Sequence, residues 1–133
     1  MVRFPSDEWI KTFKEKLNKN VNYKKAAKNW EGDFLFVITP DDELKEEITF
    51  YVDLWHGKCR DAFLVKDNKT AAFIFKGPYS NWKQVINKEL DPIRGLIRGL
   101  FTLEGDSKVI INEVKAAQEL VNTASQIPVD FID

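Results

Sequence analysis

Phe34-Leu35-Phe36-Val37-Ile38 is five apolar residues in a row, bounded by Gly32 and Pro40. A run of strand length with no polar break offers apolar side chains to both faces of a sheet, so it belongs at a sheet's centre with both faces covered. The rest of the chain must supply its neighbours. Ile48, Phe50, Val52 and Leu54 alternate with Thr49, Tyr51, Asp53 and Trp55, the period of a half-buried strand. His56-Gly57 has the form of a two-residue hairpin turn leading into a third strand from Lys58 to Val65. Lys66 to Lys69 turns the chain, Ala71 to Phe75 makes a fourth strand, and Phe101 to Glu104 a fifth before the turn at Gly105.

Between and around these strands the period is helical. Ser6 caps a helix whose first turn carries Asp7 and Glu8 and whose Trp9, Ile10, Phe13 and Leu17 share a face. A short helical piece follows over Tyr23 to Lys28. Pro78 opens a helix with Trp82, Val85, Ile86 and Leu90 on one side, and Asp91-Pro92 caps and starts another with Ile93, Leu96, Ile97 and Leu100. Asp106 or Ser107 caps a last helix, whose stripe Ile110, Val114, Ala117, Val121 and Ala124 ends near Ile127-Pro128. The expected order is α-β-β-β-β-α-α-β-α: one α+β domain over residues 1–133, a five-stranded mixed and mainly antiparallel sheet with helices on one face.

Composition removes several function classes. One cysteine, Cys59, and one histidine, His56, exclude an internal disulfide, a cysteine-rich zinc site and a two-histidine metal motif. Neither a metal nor another cofactor is expected. No apolar run approaches the roughly 20 residues of a membrane span, and no secretory or peroxisomal address is read, so the expectation is a cytoplasmic protein. Ten of the seventeen aromatic residues are Phe, which calls for an interior that takes many bulky, wholly apolar groups.

Gly77-Pro78-Tyr79-Ser80-Asn81-Trp82, Leu90-Asp91-Pro92, then Gly95 and Gly99, then Leu100-Phe101-Thr102-Leu103-Glu104-Gly105-Asp106 resemble the sterol carrier protein family in motif. The element order resembles it over nearly the whole chain. The resemblance implies a noncatalytic fold with a long apolar tunnel between sheet and helices, carrying fatty acids, fatty acyl-CoA, sterols or isoprenoid lipids. Candidate wall residues, judged from the apolar faces, are Trp82, Ile86, Ile93, Leu96, Ile97 and Leu100 from the helical crossover, with Val114, Ala117, Leu120 and Val121 from the last helix. Apolar stripes alone do not separate a lined cavity from a packed core, so a structural or subunit-interaction domain stays open.

An enzymatic alternative is a small cone-shaped isomerase-like fold with Asp33 or Asp53 as a buried base. Gly95-x-x-x-Gly99 reads as local close packing against the sheet. Residues 1 to 30 carry a formal charge of +5 and the remainder −6, so Lys11, Lys14, Lys16, Lys19, Lys24, Lys25 and Lys28 offer transient contact with an anionic membrane or else form a solvated face. Nucleic acid is not an expected partner, because Trp9 and Phe13 lie on the apolar stripe and not among the lysines.

Overall fold

The computed structural model describes residues 1–131. Three elements begin the chain: a short strand β1 (Val2–Phe4), a helix α1 (Asp7–Asn18) and a shorter helix α2 (Val21–Ala26). The Ser6 hydroxyl accepts the Trp9 N–H at 3.1 Å, and Trp9, Ile10, Phe13 and Leu17 are buried, as the spacing predicts. Asn20 caps α2 in the same way, which starts it two residues before the expected Tyr23.

The main sheet is built from β2 (Glu31–Thr39), β3 (Ile48–Trp55), β4 (Lys58–Leu64), β5 (Phe73–Pro78) and β6 (Thr102–Glu104), in the spatial order β4-β3-β2-β5-β6. The apolar run of β2 is the central strand. Only its pairing with β5 is parallel; the others are antiparallel. His56 and Gly57 both have positive φ, 50° and 79°, the geometry of a type I′ hairpin turn. Gly57 is also required for space, since a Cβ there would stand 2.9 Å from the Lys24 Cα.

Both faces of β2 are covered, by different means. Phe34 and Ile38 join the main core beneath the helices, while Leu35, Val37 and Tyr51 form a second buried cluster on the other face. Among the described residues no helix side chain packs on that cluster. The connection between β4 and β5 does the covering: Val65 and Ala71 pack on the cluster, Lys69 stands over the Tyr51 ring at 4.3 Å, and the Ala72 N–H donates to Asp33 at 2.7 Å.

Helices α3 (Tyr79–Ile86) and α4 (Pro92–Ile97) make the crossover from β5 to β6, and Asp91 caps α4 by accepting from the Ile93 and Arg94 N–H groups. The acidic connection before β3 is more than a solvated loop. Asp41 accepts N–H groups from Glu43, Leu44 and Ser80, which fastens it to the start of α3.

Two features differ from the sequence expectation. The single last helix is two, α5 (Ser107–Ile111) and α6 (Val114–Ser125), broken at Asn112 and Glu113. A final strand β7 (Val129–Phe131) pairs in parallel with β1 to make a separate two-stranded sheet. Strands β1 and β7 are three residues each, too few to be read from alternation alone.

Helix α1 lies along the outer edge of β4 and is fastened at both ends. Asp7 accepts the Leu64 N–H at 2.9 Å, and at the far end Asn18 and Cys59 exchange two hydrogen bonds, of 2.8 and 2.9 Å. The two glycines four apart have separate reasons. Gly95 is buried against Phe101, where a Cβ would meet Cδ2 at 2.9 Å, whereas Gly99 has φ +79° and open space around it, a turn position after α4.

Candidate functional site

Sheet and helices do not close on each other completely. Between them lies a cavity of about 130 Å³ with an almost wholly apolar wall. Its floor is the helix-side face of the sheet, chiefly Phe34, Phe36, Ile38, Phe50 and Phe75; Trp9 and Phe13 of α1 close one flank. The opposite side is a cover made by α4, α5 and α6 through Ile93, Leu96, Ile110, Ala117, Leu120 and Val121. The two sides differ in packing. Floor and flank are buried apart from Phe36, but in the cover Leu96, Ile110, Ala117, Leu120 and Val121 are only half-buried.

The aromatic wall is held by a chain of ring contacts. Trp9 stacks on Phe13 and Phe50, Phe34 on Phe73, and Phe75 on Phe101 at 4.6 Å, with Trp82 edge-on to Phe75 and Phe101. Polar groups in the wall are few. The Trp30 indole donates to the Gly32 carbonyl at 3.0 Å, and that of Trp82 to the Val37 and Gly77 carbonyls at 3.1 Å. Burial pushes the Tyr23 phenol well above its ordinary range, with nearby Cys59 and Glu113 adding to the shift. Burial likewise pushes the Cys59 thiol up to about 12, which favours the protonated, less reactive form.

Of the ten candidate wall residues, Trp82, Ile86, Ile93, Leu96, Ala117, Leu120 and Val121 line this cavity. Ile97, Leu100 and Val114 do not. Helix α4 ends at Ile97 and leaves it 68% exposed, and the break before α6 turns Val114 outward, 42% exposed. Leu100 lies beyond α4, where its carbonyl accepts the Asn81 amide. The residues not anticipated are the aromatics of α1 and the sheet. Their apolar stripes are visible in the sequence, but a stripe is the same whether it meets side chains or space.

The carboxylates considered as bases lie elsewhere. Asp53 is engaged by the Arg60 guanidinium at 3.0 and 3.2 Å, where a bulge places an extra residue in β4. Asp33 accepts the Tyr51 hydroxyl as well as the Ala72 N–H. Neither lines the cavity. His56 is paired with Glu31 at 2.6 Å beside the hairpin turn. Among the described residues no group of His, Cys, Asp and Glu is placed to hold a metal ion, and no helix is long and apolar enough to cross a membrane.

Comparison with known proteins agrees with this architecture. The sequence pattern of the SCP-2 sterol transfer family matches residues 10–118. A crystal structure of sterol carrier protein 2 superimposes with a TM-score of 0.82 at 32% identity, covering 92% of this chain and 97% of that one. A conserved hypothetical protein of Thermus thermophilus superimposes with a TM-score of 0.88 at 31% identity, covering 98% of this chain and 93% of that one. The palmitated SCP2L2 of Aedes aegypti shares the fold at a TM-score of 0.55 and 15% identity, covering 80% of this chain and 92% of its own. No significant match is found among curated proteins.

Proposed function

This chain belongs to the SCP-2 sterol transfer family, and from that premise we propose that it binds and carries a lipid with an alkyl chain, without catalysis, in the cavity beneath α4, α5 and α6. The observation that carries the reading is the wall itself: an apolar space lined by aromatic rings and aliphatic side chains, with Glu113 its one carboxylate. Such a wall offers transfer from water and almost no chemistry. Each methylene buried contributes about 0.8 kcal/mol, close to a fourfold gain in affinity.

Space of about 130 Å³ is near that of a cavity holding one benzene-sized molecule. A whole acyl chain therefore needs the cover to move outward. The half-buried packing of the cover makes it the side that gives, since helices with few fully buried side chains open at the lowest cost; α5 has none at all. Uptake and release then consist of that movement.

Affinity for saturated fatty acids is expected to rise several-fold per methylene from ten to sixteen carbons, read by displacement of a fluorescent lipid. Affinity independent of chain length would overturn the reading.

The basic segment gives the carrier a means of meeting a bilayer. Lys11 is engaged by Asp7 at 2.6 Å, but Lys19, Lys24, Lys25 and Lys28 are exposed on and around α2, with Lys14 and Lys16 on α1 beside them. Lysines near an anionic surface contribute about 1 kcal/mol each. Sedimentation with phosphatidylserine vesicles is expected at low salt and is lost near 1 M, where the Debye length is about 3 Å; no sedimentation even at low salt would make these lysines a solvated face.

A further inference from the structure

Three tryptophans stand in the cavity wall, and the fold treats their indole N–H groups differently. Those of Trp30 and Trp82 are met by backbone carbonyls. That of Trp9 is met by nothing, and its Nε1 is the one buried side-chain nitrogen or oxygen without a hydrogen-bond partner among the described residues. Trp9 is 5% exposed. Around it lie Phe13 at 5.5 Å, Phe50 at 5.8 Å and Phe4 at 4.8 Å between ring centroids, rings that have no oxygen to offer. Buried donors left unpaired are rare in native proteins, and a phenylalanine would fill this position without leaving one.

An indole nitrogen can only donate, so whatever satisfies it carries an acceptor. We propose that the Trp9 N–H anchors the oxygen of the bound lipid, and that the ligand is accordingly a chain ending in a small oxygenated group, a carboxylic acid or an alcohol, held with that end inward. This rests on the carriage reading above and adds the ligand's class and orientation. The orientation follows from the two sides of the cavity. Trp9 belongs to the tightly buried flank and not to the half-buried cover, so a lipid admitted through the cover brings its oxygen inward to that flank and trails its chain toward the cover. A carboxyl or hydroxyl group is small against a space of about 130 Å³; a coenzyme A headgroup is far larger than it. Neighbouring rings close over the nitrogen in the present arrangement, so seating the oxygen needs the same outward movement that seating the chain does.

The wall holds one alternative donor, the Tyr23 phenol. It lies past the other end of α1, which rises roughly 13 Å between Trp9 and Asn18, so the two are separable by mutation. The test compares palmitic acid with n-hexadecane, equal in carbon number and different in oxygen, as competitors of the hydrocarbon probe diphenylhexatriene. The quantity read is the affinity for the acid relative to that for the alkane, in wild type and in each variant. Trp9→Phe should weaken palmitic acid about tenfold, the worth of one buried hydrogen bond, and leave hexadecane within twofold. In unmodified protein, the Trp9 indole ¹⁵N–¹H resonance should move downfield with palmitic acid and not with hexadecane, a readout that does not depend on the variant folding. Equal weakening of both lipids, a ratio that survives Trp9→Phe, or one lowered by Tyr23→Phe instead would overturn the anchor and leave carriage standing. If wild type binds neither lipid, the carriage reading fails and the anchor with it.

Discussion

An Ala117→Trp protein is expected to fold and to lose palmitate binding by two orders of magnitude or more. Ala117 lies on α6, half-buried, with its methyl group in the cavity wall. An indole in its place takes up the space a chain would use. In a close-packed core the same substitution overpacks and costs about 1–3 kcal/mol; here the cover yields and the cavity receives the ring, so the thermal midpoint should move by only a few degrees. Chemical denaturation and lipid displacement on the same preparation check both halves. Destabilisation in the overpacking range with unchanged palmitate binding would show that Ala117 does not face the ligand.

The largest loss of stability is expected from Phe101→Ala. Phe101 is 2% exposed, stacked on Phe75 and edge-on to Trp82. Two glycines make room for it from opposite sides, since a Cβ on Gly77 would stand 2.4 Å from its Cδ1 and one on Gly95 2.9 Å from its Cδ2. The ring thus joins β5 to α4. Removing it costs about 3–5 kcal/mol, a large share of the roughly 5–15 kcal/mol that holds a domain folded. In urea the midpoint should fall with little change in slope. A loss below about 1 kcal/mol, the ordinary cost of a point substitution, would mean that the clamp is not as tight as the two glycines imply.

Phe101 also shows where sequence reading stops. The strand it leads into, β6, is legible, because alternation through Glu104 and the turn at Gly105 are local signals, and so is the central position of Phe34 to Ile38, because a continuous apolar run needs cover on both faces. That one of those covers is a loop instead of a helix is not legible. Leu35 and Val37 demand burial, but nothing in Lys66 to Lys69 says that the connection folds back across them. Asn112 and Glu113 show a different limit: Ile110, Val114 and Ala117 keep helical spacing across the break, so the period survives although the helix does not. For the site, the sequence marks which residues are apolar and on which face. It does not mark where packing is incomplete, since a void is a property of several elements at once. Trp9 therefore reads as core, and only its missing hydrogen-bond partner in three dimensions distinguishes it from the tryptophans beside it.

The fastening of α1 along β4 bears on how this fold avoids polymerising. A sheet's outermost strand presents unpaired N–H and C=O groups, a template on which another chain can add. At one margin the sheet ends in β6, only three residues long; at the other, seven-residue β4 is screened by α1 through Asp7 and Asn18. Both roles of α1, screening that margin and carrying Trp9, depend on the same few bonds. A lipid held by Trp9 would resist its undocking, so loaded protein should recruit strands from its neighbours more slowly than empty protein. The Lys11 ammonium and the Leu64 N–H hold the Asp7 carboxyl below its ordinary range, so this pin is firm at neutral pH and loosens as acid protonates Asp7. Acid thus weakens the screening of β4 at its Asp7 end, while the Asn18 and Cys59 bonds hold the other end.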